Sequence, residues 1–124
     1  MNILAVASEI YPLIKTGGLA DVVGALPLAL KQHGVSVKTL VPGYPAVMKW
    51  LEKQSTVATL DNLFSGPARI VAGTVAGLDI LALDAPHLYD RDGGPYGDAG
   101  GSDWQDNWRR FAALGKAGLS VVFE

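Results

Sequence analysis

The feature that most constrains the fold is an uninterrupted apolar run at the start of the sequence, Asn2–Ala7. Such a run is typical of a strand that is covered on both faces, as in a parallel sheet. A polar, glycine-containing segment follows, and then apolar residues recur at helical spacing: Leu19, Val22, Val23, Leu26 and Leu30. Gly34 stands where a helix C-terminal glycine is expected, and the alternation over Val35–Val41 predicts a second strand. Strand, helix and strand form a βαβ unit, so we expect an α/β fold with a parallel sheet and flanking helices.

The middle of the sequence predicts a short helix and a hairpin. Pro27 lies inside the first helical pattern, and we expect a kink or a break there because proline removes a backbone donor. Pro45–Lys53 predicts a short helix. Arg69–Val75 and Leu78–Leu83 are short apolar runs separated by Ala76-Gly77, which predicts two strands joined by a tight turn.

The last third of the sequence predicts a loop and a final helix. Glycine and aspartate dominate Asp84–Asp103, which indicates a long loop without regular structure of its own. Asp103 and Asp106 have the spacing of a capping box, so we expect a helix from about Asp103 to Val122. Its apolar end, Leu119–Phe123, would have nothing to cover it. We therefore expect the chain to be a truncated part of a longer protein; a native C-terminal helix docked on the sheet is the alternative.

Composition excludes several functional classes. Twelve acidic residues against ten basic ones weigh against a general nucleic-acid partner. The absence of cysteine excludes disulfides, a thiol nucleophile and zinc–thiolate sites. His33 and His87 are too far apart in sequence to form a local metal motif, and no apolar run approaches the length of a membrane span. We expect a cytoplasmic domain with no metal, nucleic-acid or membrane partner.

The segment after the first strand contains the candidate ligand-binding residues. In open α/β sheets, ligands bind beyond the carboxyl ends of the strands, and Lys15, Gly17 and Gly18 occupy that place. The glycines allow a ligand to approach the backbone, the first-turn amides of the helix favour an anion, and Lys15 adds a positive charge. A phosphate or diphosphate fits these features. The spacing matches neither the P-loop nor the dinucleotide fingerprint, so a generic Gly-Gly turn beside a solvated lysine remains open.

Two carboxylates near this segment have two interpretations each. Asp21 lies in the first turn of the predicted helix, where an acidic residue compensates the helix dipole. It could instead accept hydrogen bonds from ligand hydroxyls near Lys15. Glu9, just past the end of the first strand, presents the same choice.

Three segments resemble a known family. Ser8–Val22, which reads SEIYPLIKTGGLADV, closely resembles the N-terminal signature of bacterial glycogen synthases and plant starch synthases. A second match runs from Leu88–Arg91 through Gly94–Tyr96. A third is Asp106-Asn107 with Arg110-Phe111. The order and spacing of the three fit the family over nearly the whole chain.

The resemblance implies an activity. Members of this family are retaining glucosyltransferases of the GT-B type, with two Rossmann-like domains and a cleft between them. They transfer glucose from ADP-glucose to the non-reducing 4-hydroxyl of an α-1,4-glucan such as glycogen, without metal or cofactor. Lys15 then matches the contact to the sugar nucleotide, and Gly17 and Gly18 match the loop that approaches the donor. Asp21 and Tyr96 match positions that line the donor sugar pocket.

The resemblance also implies that the chain is incomplete. Residues 1–124 correspond to the N-terminal, Rossmann-like, acceptor-side domain, and the second, nucleotide-binding domain lies beyond them. We therefore expect half a donor site and no catalysis by the chain alone. A non-catalytic module that binds a phosphosugar or glucan, and a structural fragment without ligand, are the alternatives.

Other features favour structural roles. Asp90 and Asp92 match the start of a calcium-binding loop, but the later positions of that pattern do not fit. Trp104 and Trp108 lie one helical turn apart and favour packing over stacking on sugar rings. His87 is expected to make a structural hydrogen bond.

Overall fold

A computed structural model describes residues 1–122. Residues 123 and 124 lie outside it, so the predicted apolar end Leu119–Phe123 is described only as far as Val122. The strands are β1 (Asn2–Val6), β2 (Ser36–Pro42), β3 (Glu52–Leu60), β4 (Ala68–Val75) and β5 (Leu78–Asp84). The helices are α1 (Gly18–Lys31), α2 (Pro45–Trp50), α3 (Pro86–Tyr89) and α4 (Asn107–Val122). No helix within residues 1–122 is long and apolar enough to cross a membrane.

One mixed sheet organises the fold. Its order is β1-β2-β5-β4-β3, with β1, β2 and β5 parallel and with β4 antiparallel to both β5 and β3. Helix α1 packs against β2 and β5, and α4 packs against β1 and β2. The buried core is richest in the central strands, including Leu40, Val41, Ile70, Val71, Ile80 and Leu83. The predicted α/β fold with flanking helices is confirmed, with an antiparallel ribbon added to the parallel part.

The prediction that β1 is covered on both faces is wrong. Ile3 is 38% exposed and Val6 is 46% exposed. The reason is helix placement: α1 packs against β2 and β5, so among the described helices α4 gives β1 its main cover. An apolar run thus predicted the strand correctly but not its surroundings.

Helix α1 follows the predicted pattern. It ends at Lys31, and Gly34 has a φ of +77°, the left-handed conformation that favours glycine after a helix. The break considered at Pro27 does not occur, because the helix continues without interruption from Gly18 to Lys31. Pro27 is buried within the helix. Its ring therefore contributes to packing, while its missing N–H removes one backbone hydrogen bond.

The hairpin is confirmed, and the strand beside it was not predicted. Ala76 and Gly77 have φ values of 49° and 80°, as a two-residue turn with positive φ at both positions requires. The predicted helix Pro45–Lys53 ends earlier, at Trp50, because Glu52 already begins β3. Strand β3 is mostly exposed and polar, and therefore lacks the apolar alternation that would have predicted it.

The last helix begins later than predicted. Helix α4 starts at Asn107 rather than near Asp103, and the capping-box prediction is wrong. Asp103 forms a backbone bridge with Gly97, and the Asp106 carboxylate binds Arg91 instead of capping the helix. The preceding loop is irregular as predicted, apart from the four-residue helix α3.

Candidate functional site

The candidate site lies at the carboxyl end of the parallel strands. Strands β1, β2 and β5 end at Val6, Pro42 and Asp84, and the segments that follow them meet at this edge. The Tyr44 hydroxyl, just after β2, donates a hydrogen bond of 2.9 Å to the Ser8 carbonyl oxygen, just after β1. This is the edge at which open α/β sheets bind ligands.

Lys15 and Asp21, both predicted as site residues, contact each other. The Lys15 Nζ lies 2.8 Å from Asp21 Oδ2 and 3.0 Å from Oδ1. The side chains are 48% and 51% exposed, so the pair lies in solvent at the start of α1. The carboxylate raises the pKa of the Lys15 ammonium, mainly through this hydrogen bond. The two charges are near enough for one ligand to reach both.

Gly17 and Gly18 leave the start of α1 open. Gly17 is the extended residue before the helix and Gly18 is the first helical residue. A Cβ atom built on either would meet no other atom within 4 Å. Within residues 1–122 the amides of Gly18, Leu19 and Ala20 have no hydrogen-bond partner, as is normal for a first helical turn. Gly18 and Leu19 are exposed, so their amides are open to a ligand, whereas Ala20 is buried.

Glu9 is buried beneath this loop. It is 1% exposed and accepts four hydrogen bonds from protein groups. The backbone amides of Thr16 and Gly17 donate to Oε1 at 3.1 and 3.2 Å, and the Thr16 and Tyr96 hydroxyls donate to Oε2 at 2.6 Å each. Burial by itself raises the pKa of a carboxyl, but these bonds outweigh it and lower the pKa of Glu9 to about 2. The sequence suggested helix-dipole compensation or a ligand contact for Glu9, and neither interpretation describes this internal role.

Tyr96 lies in the glycine-rich loop, which is the segment Asp84–Asp103, and contacts the same corner. Its hydroxyl donates to Glu9, and the Ser8 hydroxyl, 2.7 Å away, donates to the Tyr96 oxygen. The ring lies 5.9 Å from that of Phe111 on α4. Burial, followed by the bond to Glu9, raises the pKa of the Tyr96 phenol. Its hydroxyl is fully engaged, so only its ring is free to contact a ligand.

Helix α4 and Asp106, the residue just before it, hold the glycine-rich loop in place. Asp106 forms a two-pronged ion pair with Arg91, with both N–O distances at 2.6 Å. The Asn107 amide donates to the Tyr96 carbonyl oxygen at 2.8 Å. Buried Arg110 donates to the carbonyl oxygens of Leu88 and Pro95, each at 2.8 Å. These anchors have no local sequence signal other than the resemblance.

The three sequence segments therefore meet at one place. The segment Asp106–Phe111 holds the loop that contains Tyr96, and Tyr96 in turn holds Glu9 and the segment Lys15–Gly18. Residues 2–124 match the starch synthase catalytic domain family. The chain belongs to this family.

Glycogen synthases are among the relatives of this starch synthase catalytic domain sequence. The chain is 62% identical over 122 residues to glycogen synthase 1 of Rhizobium meliloti strain 1021. It is 59% identical over 122 residues to a glycogen synthase of Mesorhizobium japonicum. Each match covers 98% of this chain and 25% of the relative, so the chain spans about a quarter of the length of these curated relatives.

A solved structure has the same fold. The catalytic domain of starch synthase IV from Arabidopsis thaliana, bound to ADP and acarbose, superimposes with a TM-score of 0.79 at 29% identity. The match covers 97% of this chain and 24% of that one. The starch synthase fold therefore extends over the chain from β1 to α4.

The other residues that the sequence analysis considered, which are two tryptophans, a histidine and two aspartates, show no sign of a second ligand or metal site within residues 1–122. The His87 Nε2 lies 2.7 Å from the Leu63 carbonyl oxygen, which confirms the predicted structural hydrogen bond. Trp104 packs on the guanidinium groups of Arg91 and Arg110, at 5.2 and 5.7 Å from its ring centroid. Trp108 is 68% exposed and therefore does not belong to the core. No group of three or more metal-ligating side chains occurs among residues 1–122, Asp90 and Asp92 included.

Proposed function

We propose that this chain is the N-terminal, acceptor-side part of a GT-B glycogen synthase. The full-length enzyme transfers glucose from ADP-glucose to the non-reducing 4-hydroxyl of an α-1,4-glucan such as glycogen, with retention of configuration. The glycogen synthases at 62% and 59% identity support the activity. The ADP in the starch synthase IV structure supports the nucleotide of the donor.

The donor diphosphate binds at the start of α1. Negative charge develops on the diphosphate as the glucosyl bond breaks, and Lys15 with the free amides of Gly18 and Leu19 stabilises it. Asp21 does not prevent this, because an ion pair that is half exposed contributes only about 0–1 kcal/mol. A diphosphate therefore displaces Asp21 from Lys15. As the family resemblance implies, we propose that this transfer uses neither a metal nor a cofactor.

The donor sugar lies beside Asp21 and Tyr96. Once Lys15 has moved to the diphosphate, the Asp21 carboxylate is free to accept hydrogen bonds from sugar hydroxyls. Tyr96 lines the pocket through its ring, because its hydroxyl is occupied by Glu9 and Ser8. These contacts hold the oxocarbenium-like sugar in register with the acceptor hydroxyl.

The remaining sequence of a full-length protein supplies the second domain. Relatives four times as long leave room for a nucleotide-binding domain that closes over the Lys15 corner. Residues 1–124 thus hold half of the donor site and do not catalyse transfer alone. The full-length protein acts in the cytoplasm and has no nucleic-acid or membrane partner.

The observation that carries the proposal is the exposed Lys15 ammonium beside open Gly17 and Gly18, in a chain of this family. The test is glucose transfer from ADP-glucose to glycogen by the full-length protein and by Lys15→Ala. Loss of one such group costs about 10²-fold or more in kcat/KM. Lys31→Ala, at the other end of α1, is the matched control and keeps wild-type activity.

Two results would contradict the proposal. If Lys15→Ala leaves both kcat and the KM for ADP-glucose unchanged, Lys15 has no role in the donor site. If the wild-type protein binds ADP-glucose or glucan but transfers no glucose, it is a binding module.

A further inference from the structure

Glu9 joins two segments that are far apart in the sequence. Its Oε1 accepts from the amides of Thr16 and Gly17, seven and eight residues away. Its Oε2 accepts from the Thr16 hydroxyl and from the Tyr96 hydroxyl, which is 87 residues away. A single side chain thus fixes both the loop before α1 and the loop that α4 anchors.

This arrangement requires a carboxylate. Four donors converge on Glu9, and within residues 1–122 no lysine or arginine nitrogen lies within 4 Å of it. An ionised carboxyl offers two acceptor oxygens with about four lone-pair positions, whereas a glutamine amide offers one oxygen and two donors. Burying a charge without a counter-ion is unfavourable unless hydrogen bonds compensate it. Glu9 is therefore matched to these four donors rather than to a cation.

The bonds to Glu9 reach the proposed ligand contacts. Gly17 is the last residue before α1, so its bond to Glu9 sets where the amides of the exposed residues Gly18 and Leu19 point. Thr16 adjoins Lys15, so its two bonds set the base of the lysine side chain. The bond to Tyr96 sets the position of the ring.

We propose that Glu9 is a positioning residue that couples the Lys15–Gly18 loop to Tyr96, so that the contacts to the diphosphate and to the donor sugar keep one geometry. The inference rests on the proposed function in what it says of the donor. It makes no demand on proton transfer, because Glu9 is buried and both of its carboxylate oxygens accept hydrogen bonds from protein groups.

The coupling is tested in the full-length protein with Glu9→Gln, Tyr96→Phe and the double variant. Tyr96→Phe removes only the hydroxyl that contacts Glu9 and Ser8. Glu52→Gln, an exposed glutamate on β3, is the matched control. Thermal melts establish that each variant folds; if Glu9→Gln does not fold, Thr16→Val, which removes one donor to Glu9, takes its place.

The first readout is transfer of glucose from ADP-glucose. Displacing positioned groups by a fraction of an ångström costs roughly 10- to 100-fold in kcat/KM. We expect a loss in this range for Glu9→Gln and for Tyr96→Phe, with the double variant no worse than the poorer single variant. If the two losses multiply instead, the residues act independently and the coupling is refuted.

The second readout is hydrogen exchange at the Thr16 and Gly17 backbone amides, which donate to Glu9 and make no hydrogen bond to Tyr96 within residues 1–122. Coupling through Glu9 predicts that Tyr96→Phe accelerates exchange at both amides severalfold, and that it adds no acceleration in the Glu9→Gln background. Unchanged exchange in Tyr96→Phe overturns the coupling. If the wild-type protein transfers no glucose, the proposed function fails by itself, and this exchange measurement alone decides the role of Glu9.

Discussion

At the scale of single residues, the proposed function depends on the exposed Lys15–Asp21 pair. Each side chain neutralises the other, and we propose that an anion bound to Lys15 frees the Asp21 carboxylate. The Asp21 carboxylate binds the Lys15 ammonium, a contact that neither interpretation of Asp21 from the sequence included. Its role towards a ligand stays a prediction.

Asp21→Asn separates the two roles proposed for this carboxylate. Removing the competitor of Lys15 is expected to strengthen binding of ADP by roughly 1.4- to five-fold, because exposed pairs contribute about 0.2–1 kcal/mol. The same change is expected to lower kcat/KM for ADP-glucose, because transfer of the glucose depends on the proposed contact between Asp21 and the sugar. Calorimetric titration with ADP and a transfer assay measure the two effects. Equal changes for both ligands would show that Asp21 has no contact with the sugar.

Glu9 predicts acid sensitivity of the fold. Its pKa is about 2 in the folded chain and near the ordinary 4.5 when unfolded, so its stabilising effect is fully present above pH 4.5. The effect is lost as the pH falls from 4.5 to 2, and the difference corresponds to about 3 kcal/mol. Urea titrations between pH 7 and pH 2.5 should show this loss. Glu9→Gln should lack this part of the pH dependence, whereas Glu52→Gln should keep it.

The sequence predicted which residues belong to this corner, but not how they are connected. Lys15, Gly17, Gly18 and Asp21 are near neighbours in the chain, so spacing alone placed them together. The bond between Glu9 and Tyr96 spans 87 positions, and no local pattern reports it. Only the resemblance pointed to Tyr96, and it did not indicate that the hydroxyl is used internally.

At the scale of elements, two glycines of α1, Gly18 and Gly24, have different surroundings. A Cβ atom on Gly24 would lie 2.5 Å from the Tyr11 carbonyl oxygen, so this glycine allows the helix to pack against the preceding loop. A Cβ atom on Gly18 would meet nothing within 4 Å. One glycine is thus required by the fold, and the other leaves space for a ligand.

Alanine substitutions distinguish these purposes. Gly24→Ala is expected to destabilise the fold by about 1–3 kcal/mol or more, because a backbone atom must move. Gly18→Ala is expected to leave the melting temperature unchanged and to raise the KM for ADP-glucose about tenfold or more, since about 1.4 kcal/mol of lost binding corresponds to tenfold. Thermal melts and donor kinetics measure both. A normal KM for Gly18→Ala would mean that the donor does not approach this backbone.

Elements with a local signal were predicted, and those fixed by distant contacts were not. The βαβ unit and the hairpin follow from apolar patterns and turn residues within the segments themselves. Strand β3 escaped prediction because it is an exposed edge strand that pairs only with β4 in the described sheet. The start of α4 was misplaced because Asp106 binds Arg91, fifteen residues earlier, instead of capping the helix.

At the scale of the whole molecule, the fold presents its site on one open edge. Lys15 and Asp21 are half exposed, and Gly18 and Leu19 are exposed beside them, with no hydrogen-bond partner for their amides among residues 1–122. Such a site supplies charge but does not exclude water. Exclusion of water is what strengthens electrostatic contacts during catalysis. The match to about a quarter of each relative agrees with a site that needs a second part.

The isolated 124-residue chain is therefore expected to transfer no glucose at a measurable rate. We expect its half of the site to hold a diphosphate weakly without closing over the donor. Incubation of the purified chain with labelled ADP-glucose and glycogen, beside the full-length protein, measures this directly. Labelled glucan produced by the chain alone would contradict the division of the site.

The most direct test of the account is a crystal structure of the full-length protein with ADP bound. The account predicts that the diphosphate lies against the Lys15 ammonium and the Gly18 and Leu19 amides, with Lys15 no longer bound to Asp21. A diphosphate bound away from this corner, with the Lys15–Asp21 pair intact, would contradict it.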